Sequence, residues 1–333
     1  MLEFSDSAAG KTRRVVQARP APRRPVSRRT FLRKAGQAVF GTAIAGAGGL
    51  FYARDVETLW IEVTRVHLRL PGLSPHFRGY RIVQISDLHL DGYTQPEYLD
   101  RIVRLVNEQA PDLTVFTGDF VTFAPERFAP ALAATIRGLQ ARDGVFTVLG
   151  NHDHLTNPKT VAEAVREGGA TDLTNSVRTV SRRSSVLHVC GLDDIWEGRP
   201  RLDRVLSLLP RTGTAILLVH EPDFAEIVAR TGRFDLQLSG HSHGGQIRLP
   251  LVGAPVLPRY ARKYPIGLYR LKSMTLYTNR GLGVLPPRFR FLCRPEITVF
   301  ELDSGRPYSP YLALTLTPLL GLLSWCSRST ALT

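Results

Sequence analysis

The chain has few of the residues on which redox centres and small stapled scaffolds depend. Its 333 residues include three cysteines, Cys190, Cys293 and Cys326, and their wide spacing excludes a disulfide framework, a zinc ribbon and a CxxC redox centre. Acidic residues are also scarce, because 29 Asp and Glu stand against 43 Lys and Arg, which gives a net charge of +14. A charge of this sign suggests a polyanion or an acidic membrane surface as a partner. The distribution of the charge along the chain decides how far that suggestion holds.

More than half of the net charge lies in the first tenth of the chain. Residues 1–34 contain ten basic and two acidic residues, a net charge of +8. The other 299 residues contain 33 basic and 27 acidic residues, a net charge of +6. The N-terminal segment has no hydrophobic period, and we expect it to be disordered. The remainder has ordinary globular composition, which excludes disorder of the whole chain.

The basic segment ends in a pattern that resembles a twin-arginine export signal. The sequence Ser27-Arg28-Arg29-Thr30-Phe31-Leu32-Arg33-Lys34 is followed by 19 uncharged residues, 35–53, of which 11 are Ala or Gly. This resemblance implies a bacterial protein exported in the folded state by the twin-arginine machinery, to the periplasm or the outer face of the cytoplasmic membrane. The alternative is a basic tail that binds nucleic acid or phospholipid. Residues 43–45 offer a cleavage site, but the run could also remain as an anchor.

Beyond the signal, strand-like and helix-like patterns alternate and predict an α/β fold. Unbroken strand patterns in the second half predict a second sheet. We divide the chain into a basic tail with signal or anchor (1–53), a globular domain (54–305) and an apolar tail (306–333). Residues 307–327 carry no charge, and this tail either packs on the domain or contacts a membrane.

Six of the nine histidines lie in five short segments, each of which follows a predicted strand. The segments are Asp87-Leu88-His89, Gly118-Asp119, Gly150-Asn151-His152-Asp153-His154, His220 and Gly240-His241-Ser242-His243. Residues i and i+2 of an extended segment point to the same side, so Asp87 and His89 can bind one ion, while His241 and His243 converge on a common site from the other side. The carboxyl ends of strands are where α/β sheets build ligand sites. The five segments together therefore predict a metal centre.

The order DxH, GD, GNHD, H and GHxH resembles the calcineurin-like metallophosphoesterase superfamily, over about residues 80–302. Three further segments, 244–246, 280–283 and 294–298, resemble its exported bacterial branch, which acts on cell-envelope substrates. The resemblance implies an α/β fold with four layers, in which two facing mixed β-sheets are flanked by helices. It also implies two divalent metal ions.

Carried over motif by motif, the resemblance implies a role for each residue of the five segments. The first metal would be held by Asp87, His89 and His243, the second by Asn151, His220 and His241, and Asp119 would bridge both. His152 would face the leaving-group oxygen as a proton donor, and Asp153 would orient its imidazole. The family often has a further Asp after GD, where this chain has Thr122. Ligands of nitrogen and oxygen favour Mn, Fe, Zn or Co, among which the sequence does not choose.

Basic residues outside the motifs suggest a rim that attracts a phosphorylated substrate, although a solvated basic face is the preferred explanation for most of them. They comprise Arg259, Arg262 and Lys263 between two predicted strands, and Arg288, Arg290 and Arg294 further on.

These observations predict an exported, envelope-associated enzyme that hydrolyses a phosphoester by metal-activated water, with a phosphodiester or pyrophosphate bond preferred. A phosphorylated or lipid-linked envelope substrate and a membrane surface are the expected partners, and nucleic acid is not expected. One alternative is a pyrophosphatase of the UDP-diacylglucosamine type in lipid A synthesis. The others are a nuclease, which would bind DNA in a salt-dependent manner, and a non-catalytic metal-binding scaffold.

Overall fold

The computed structural model describes residues 28–305, in which twelve strands form two six-stranded sheets. The strands of the first sheet are β1 (Glu62–Arg69), β2 (Tyr80–Ile85), β3 (Leu113–Thr117), β4 (Val145–Val148), β5 (Thr171–Asp172) and β12 (Glu296–Asp303). The strands of the second sheet are β6 (Ser176–Arg182), β7 (Ser185–Gly191), β8 (Thr214–Leu218), β9 (Leu236–Ser239), β10 (Gly267–Leu271) and β11 (Met274–Thr278). The terminal segments 1–27 and 306–333, and the predictions made for them, lie outside the described residues.

Both sheets are mixed. The first has the order β1-β12-β2-β3-β4-β5, with parallel pairs throughout except the antiparallel pair of β12 and β2. The second has the order β10-β11-β9-β8-β7-β6, in which β11, β9, β8 and β7 are parallel and the two edge strands are antiparallel. The parallel strands at the centre of each sheet carry their loops at the same edge, where the predicted motifs lie.

Alternation along the strands explains why the sheets face each other. On β2, Ile82 belongs to an apolar cluster that also contains Leu238 of the second sheet, whereas the next residue, Val83, belongs to a different cluster. Side chains of a strand point to opposite faces in turn, so one face of each sheet is buried against the other sheet. The predicted pair of facing mixed sheets is confirmed.

Helices cover the outer faces, which gives the four layers. On the first sheet these are α2 (Pro96–Asn107), α3 (Pro125–Gly138) and α5 (Pro158–Glu167), and on the second α6 (Leu202–Leu208) and α7 (Ala225–Arg230). Proline in the first turn of α2, α3 and α5 suits a helix start because that position has no hydrogen bond to lose. A short helix, α4 (Asn151–Leu155), replaces the turn expected after β4.

The described residues before Leu50 form a unit of their own. They lie in helix α1 (Arg28–Phe51), so residues 28–34, which were expected to be disordered, are its first turns. Arg, Leu, Lys and Ala favour helix, which explains the difference. Within residues 28–305, no helix has both the length and the apolarity that a bilayer span requires.

Candidate metal centre

Loops from both sheets meet at one edge of the sandwich and carry the predicted ligands. The segments after β2, β3 and β4 approach from the first sheet, and those after β8 and β9 approach from the second. Backbone hydrogen bonds join the loops directly, because Asp87 N–H donates to Gly118 O at 2.9 Å and Gly240 N–H donates to His220 O at 3.0 Å. Asp87 Oδ1 also accepts from the backbone N–H of His241 at 3.0 Å, which places residues 154 positions apart in contact.

The first donor group consists of Asp87, His89 and His243, whose side-chain donor atoms lie within 4.8 Å of one another. His89 Nε2 and His243 Nε2 are 3.0 Å apart, and His243 Nε2 lies 3.4 Å from Asp87 Oδ1. All three side chains are buried. Two ring nitrogens and a carboxylate that converge in this way form a site for a divalent cation.

The second donor group consists of Asp119, His220 and His241, again within 4.8 Å. One oxygen of Asp119, Oδ2, lies 3.2 Å from His220 Nε2 and 3.4 Å from His89 Nε2 of the first group. Asp119 therefore lies between the two groups. This is the arrangement that a bridging carboxylate requires.

Hydrogen bonds to backbone carbonyls fix which ring nitrogen of two histidines faces the centre. His220 Nδ1 donates to Thr117 O at 2.6 Å, and His241 Nε2 donates to Arg259 O at 2.7 Å. A carbonyl only accepts, so these nitrogens carry the protons. His220 Nε2 and His241 Nδ1 are therefore the nitrogens that face the centre, as in the oriented histidines of metal sites.

Among the buried side-chain atoms of residues 28–305 that have no hydrogen-bond partner, two belong to the predicted ligands of the second metal. They are Asn151 Oδ1 and His220 Nε2, and the latter lies close to Asp119 without the alignment of a hydrogen bond. Buried polar atoms are nearly always satisfied, so unsatisfied ones facing a cluster of donors call for another partner. Nitrogen and oxygen lone pairs of this kind fit divalent metal ions. Asn151 lines the same cavity as Asp119 and His241, although it belongs to neither donor group.

The backbone at the centre is held in an uncommon conformation. Asp87, His89, Asp119, His241 and His243 have φ values of 50°, 49°, 56°, 69° and 50°, in the left-handed region. Such residues cost on the order of 1–3 kcal/mol each and cluster at functional sites. The strained turns point the side chains at one another.

Burial and neighbouring charges set the protonation of the cluster. Burial lowers the pKa of His89 to about 3 and that of His241 to about 4, so both rings are neutral at pH 7. Burial would lower the pKa of His220 too, but the charges of Asp119 and Asp87 hold it well above its usual value. His220 in turn keeps the pKa of Asp119 low against the effect of burial. Metal binding would replace the proton on His220.

His152 lies beside the donor groups and remains partly exposed. Its ring packs edge-on against His89 with ring centroids 4.8 Å apart, and it lines the cavity above the centre. One of its ring nitrogens lies within 4.8 Å of the donors of His89 and Asp119. Its backbone N–H donates to Asp119 Oδ1 at 2.9 Å, which fixes the start of α4 against the bridging carboxylate.

Asp153 has a different role from the predicted one. Its Oδ2 accepts from the backbone N–H of Asp119 and Gly150, both at 2.9 Å, and its Oδ1 accepts from Phe120 at 2.9 Å and Val121 at 3.3 Å. The prediction that Asp153 orients the imidazole of His152 is therefore wrong. The carboxylate is occupied by four amides and holds the loop that carries Asp119.

Two buried acids that sequence reasoning missed support the wall of the centre. Glu221 accepts from Ile195 N and Trp196 N, at 3.1 and 3.2 Å, and Asp194 accepts from Trp196 N at 3.0 Å. They hold the Trp196 ring edge-on to His241, with centroids 5.9 Å apart. The sequence signal that could have indicated this role is that Glu221 directly follows the predicted ligand His220.

Only some of the basic residues predicted to form a rim are exposed and free of an acidic partner. Arg290 is fully buried, and its guanidinium donates to four backbone carbonyls, among them Gly283 O at 2.7 Å. It is neither a solvated charge nor a substrate contact, because its donors are used to fix the 280–293 loop. Arg288 pairs with Asp91 at 2.6 Å, and Lys263 pairs with Glu226 at 2.8 Å. Arg259 and Arg262 are exposed.

A cavity of about 530 Å³ opens above the centre. Its floor is polar and includes Asp119, Asn151 and His152. Its walls are mostly apolar and are formed by Leu155, Trp196, Ile247, Pro255, Val256, Pro258, Leu285, Pro286 and Pro287. The cavity therefore offers ionic donors at the bottom and an apolar surface along the sides.

Paired sheets with carboxylate, imidazole and amide donors at one edge define the class of metal-dependent phosphoesterases, and comparison with known proteins agrees. The family model for calcineurin-like phosphoesterases matches residues 80–245. The metallophosphoesterase YkuE of Bacillus subtilis is 40% identical over 284 residues, which cover 84% of this chain and 98% of that protein. The phosphodiesterase YaeI of Escherichia coli is 32% identical, with 83% and 99% covered.

A third relative is the UDP-2,3-diacylglucosamine pyrophosphatase LpxG of Chlamydia muridarum. It is 30% identical over 327 residues, with 80% of this chain and 97% of that protein covered. The chain belongs to the calcineurin-like phosphoesterase family, and the predicted resemblance to that superfamily is confirmed.

Proposed function

We propose that the chain is a dinuclear metallophosphoesterase that hydrolyses a phosphodiester or pyrophosphate bond in an amphiphilic substrate of the cell envelope. The observation that carries the proposal is the pair of donor groups sharing Asp119 at the floor of an apolar-walled cavity. Asp87, His89 and His243 would hold one divalent ion, and Asn151, His220 and His241 the other. Ions so bound polarise phosphoryl oxygens and lower the pKa of water to about 7.

The chain's own residues divide the remaining work. Asp119 places its negative charge between the two positively charged sites, which offsets their mutual repulsion. The carbonyls of Thr117 and Arg259 orient the rings of His220 and His241. Asp153 holds the Asp119 loop through four amides, so the donors are in place before a substrate binds.

His152 is the proposed proton donor to the leaving group. It is the partly exposed imidazole at the cavity floor, in contact with His89 and next in sequence to Asn151. A proton delivered to the departing oxygen matters most when that oxygen is a poor leaving group, and general acids of this kind contribute about 10²–10⁴-fold.

The apolar walls support a substrate that has acyl chains next to its phosphate. The relative LpxG is named for a nucleotide-linked, diacylated sugar, which makes a UDP-linked lipid one candidate substrate. A nuclease is less well supported, since nine apolar residues around the centre offer little to a charged polynucleotide. A non-catalytic scaffold would not need a partly exposed imidazole at the cavity floor.

The test compares turnover of UDP-linked sugars with and without acyl chains by the metal-loaded full chain, with bis-p-nitrophenyl phosphate as a soluble reference. We expect kcat/KM to be at least about tenfold higher for the acylated sugar. Leu155→Asp, on the exposed wall, should reduce that preference and leave the soluble reaction unchanged. Leu208→Asp, which is also exposed but lies outside the cavity, is the matched control.

Two results would contradict the proposal. If the metal-loaded protein turned over none of these compounds, a non-catalytic metal-binding scaffold would explain the site better than an enzyme does. Equal kcat/KM for substrates with and without acyl chains would contradict the proposal of an amphiphilic substrate, but it would leave the proposed phosphoesterase activity standing.

We also propose export by the twin-arginine route, supported by the residues 27–34 and the uncharged run that follows. The experiment places the protein by cell fractionation in wild-type cells and after replacing Arg28 and Arg29 with Lys. Export is expected to stop in the variant, because the machinery reads the arginine pair. Unchanged export would contradict this route.

A further inference from the structure

An apolar hairpin projects from the domain beside the cavity. The loop that joins β9 to β10 contains a tight turn in which Leu249 and Gly253 exchange two backbone hydrogen bonds, at 2.8 and 2.9 Å. Leu251 lies at its tip with φ 65° and is fully exposed, and Val252 is 72% exposed. A hairpin closed by two bonds holds these side chains in water at a defined place. Exposed apolar side chains grouped in this way indicate an interaction site.

The charge around the hairpin is strongly one-sided. Residues 236–295 contain ten Lys and Arg and no Asp or Glu, a net charge of +10. Residues 35–333 as a whole carry +6, so the rest of that region has a net charge of −4. The positive charge of the globular part is therefore concentrated in the segment that carries the hairpin.

Two arginines of this segment are available to a partner. Among residues 28–305, neither Arg259 nor Arg262 has a carboxylate within 4.0 Å of its guanidinium, whereas Arg248 is half-buried and donates to Gly244 O at 2.9 Å. Arg259 and Arg262 are exposed. An apolar tip flanked by unpaired cations matches a bilayer interface, where acyl chains lie below anionic headgroups.

We propose that this hairpin docks the protein on an anionic phospholipid bilayer, with Leu251 and Val252 inserted and Arg259 and Arg262 at the headgroups. Pro255, Val256 and Pro258 of the same loop line the cavity, so docking would turn the cavity mouth toward the lipid. That consequence rests on the proposed function, whereas the docking itself does not. A second copy of the chain fits less well, because two such surfaces would bring like charges together.

The test uses the full chain with an environment-sensitive fluorophore on Leu251→Cys, in a background with Cys326→Ser. Cys190 and Cys293 are buried and would not be labelled. The vesicles are phosphatidylcholine with and without about 30% phosphatidylglycerol. The matched control carries the label on Leu208→Cys, which is exposed and lies in α6 before the start of β8, at the edge opposite to the metal centre.

We expect a blue shift and increased emission at position 251 with the anionic vesicles, and an unchanged signal at 208. Replacing Leu251 and Val252 together with Glu should weaken binding to these vesicles at least about tenfold. Hydrolysis of bis-p-nitrophenyl phosphate should be unchanged in that variant, since neither side chain lines the cavity. The hydrolysis of bis-p-nitrophenyl phosphate also distinguishes the docking proposal from the proposed function, because a variant can lose membrane binding and still hydrolyse this soluble ester.

Several results would overturn the docking proposal. A label at 251 that stays in a watery environment on vesicle-bound protein would show that another segment, such as either terminus, makes the contact. The docking proposal would also fail if the double Glu variant bound the anionic vesicles as tightly as the wild type does. It would fail likewise if the wild type bound neutral and anionic vesicles equally. Sedimentation of the wild type as a dimer that the double Glu variant breaks would assign the hairpin to a contact between copies.

Discussion

Replacing Asp153 with Asn tests the role that the structure gives this carboxylate. Each oxygen of Asp153 accepts from two backbone amides in the loops that carry Asp119 and Asn151. The amide of Asn has one oxygen and one NH₂ group, so one pair of acceptor bonds is lost and two donors face each other. Burial and the neighbouring Asp119 raise the pKa of Asp153 to about 7, so unfolding is measured at about pH 8.5, where the group is charged. Hydrogen bonds to a charged group contribute about 1.5–3 kcal/mol each, which gives a loss of about 3–6 kcal/mol.

A loss of this size is measurable by thermal unfolding. For a domain of this length it corresponds to a fall in Tm of about 5–10 °C. The measurement is made with a chelator present, so that altered metal binding does not contribute to the difference. In the absence of chelator, metal affinity should also fall by about 10–100-fold, because the Asp119 loop is no longer held.

The control is His152→Gln, which removes the proposed proton donor and no support of the Asp119 loop. It should keep the Tm of the wild type and lose turnover. A D153N variant whose Tm stays within about 2 °C of the wild type would refute the reasoning. The carboxylate would then act on the chemistry, as the sequence suggested, and not on the loop.

Three further predictions concern single side chains. His152→Gln should slow hydrolysis of alkyl esters by about 10²–10⁴-fold and that of p-nitrophenyl esters much less, and equal losses would argue against a proton donor. Burial alone would lower the pKa of His154, but its 2.7 Å hydrogen bond to Asp193 raises the pKa overall. The pair therefore stabilises the fold fully below about pH 6.5, and this contribution is lost as pH rises through the raised pKa of His154. His154→Gln should therefore cost more in Tm at about pH 6 than at about pH 9, and a cost independent of pH would contradict the pairing. Arg290→Met should lower the free energy of unfolding by about 3 kcal/mol or more in denaturant titration, and a neutral effect would show that its bonds to four carbonyls are not needed.

The sequence predicts the strands and the order of the motifs well, because both are local signals. The alternation of apolar and polar residues over 59–70, which contain β1, and the apolar run 215–219, which overlaps β8, are visible without a structure. The place of His89 and His243 in one donor group was implied by the resemblance to the family, and their donor atoms do lie together.

Contacts between distant segments are what the sequence does not encode locally. The carbonyl of Arg259 that orients His241, and the burial of Arg290 in a chain segment rich in exposed arginine, depend on the packing of loops. Asp153 was misassigned for the same reason, since its four amide partners belong to two loops brought together by the sheet. The exposure of the apolar hairpin tip at Leu251 could not be predicted from the sequence, because the Pro and Val residues around it are equally compatible with a buried loop.

The central claim is that two divalent ions bind on either side of Asp119, and metal content tests it most directly. The full chain is loaded with Mn²⁺, freed of excess metal by gel filtration and analysed by mass spectrometry for metal per polypeptide. The account predicts about two ions per chain in the active wild type and a loss of both metal and activity in Asp119→Asn, with its secondary structure intact by circular dichroism. An active wild type with about one ion or none, or a fully loaded and active Asp119→Asn, would contradict it.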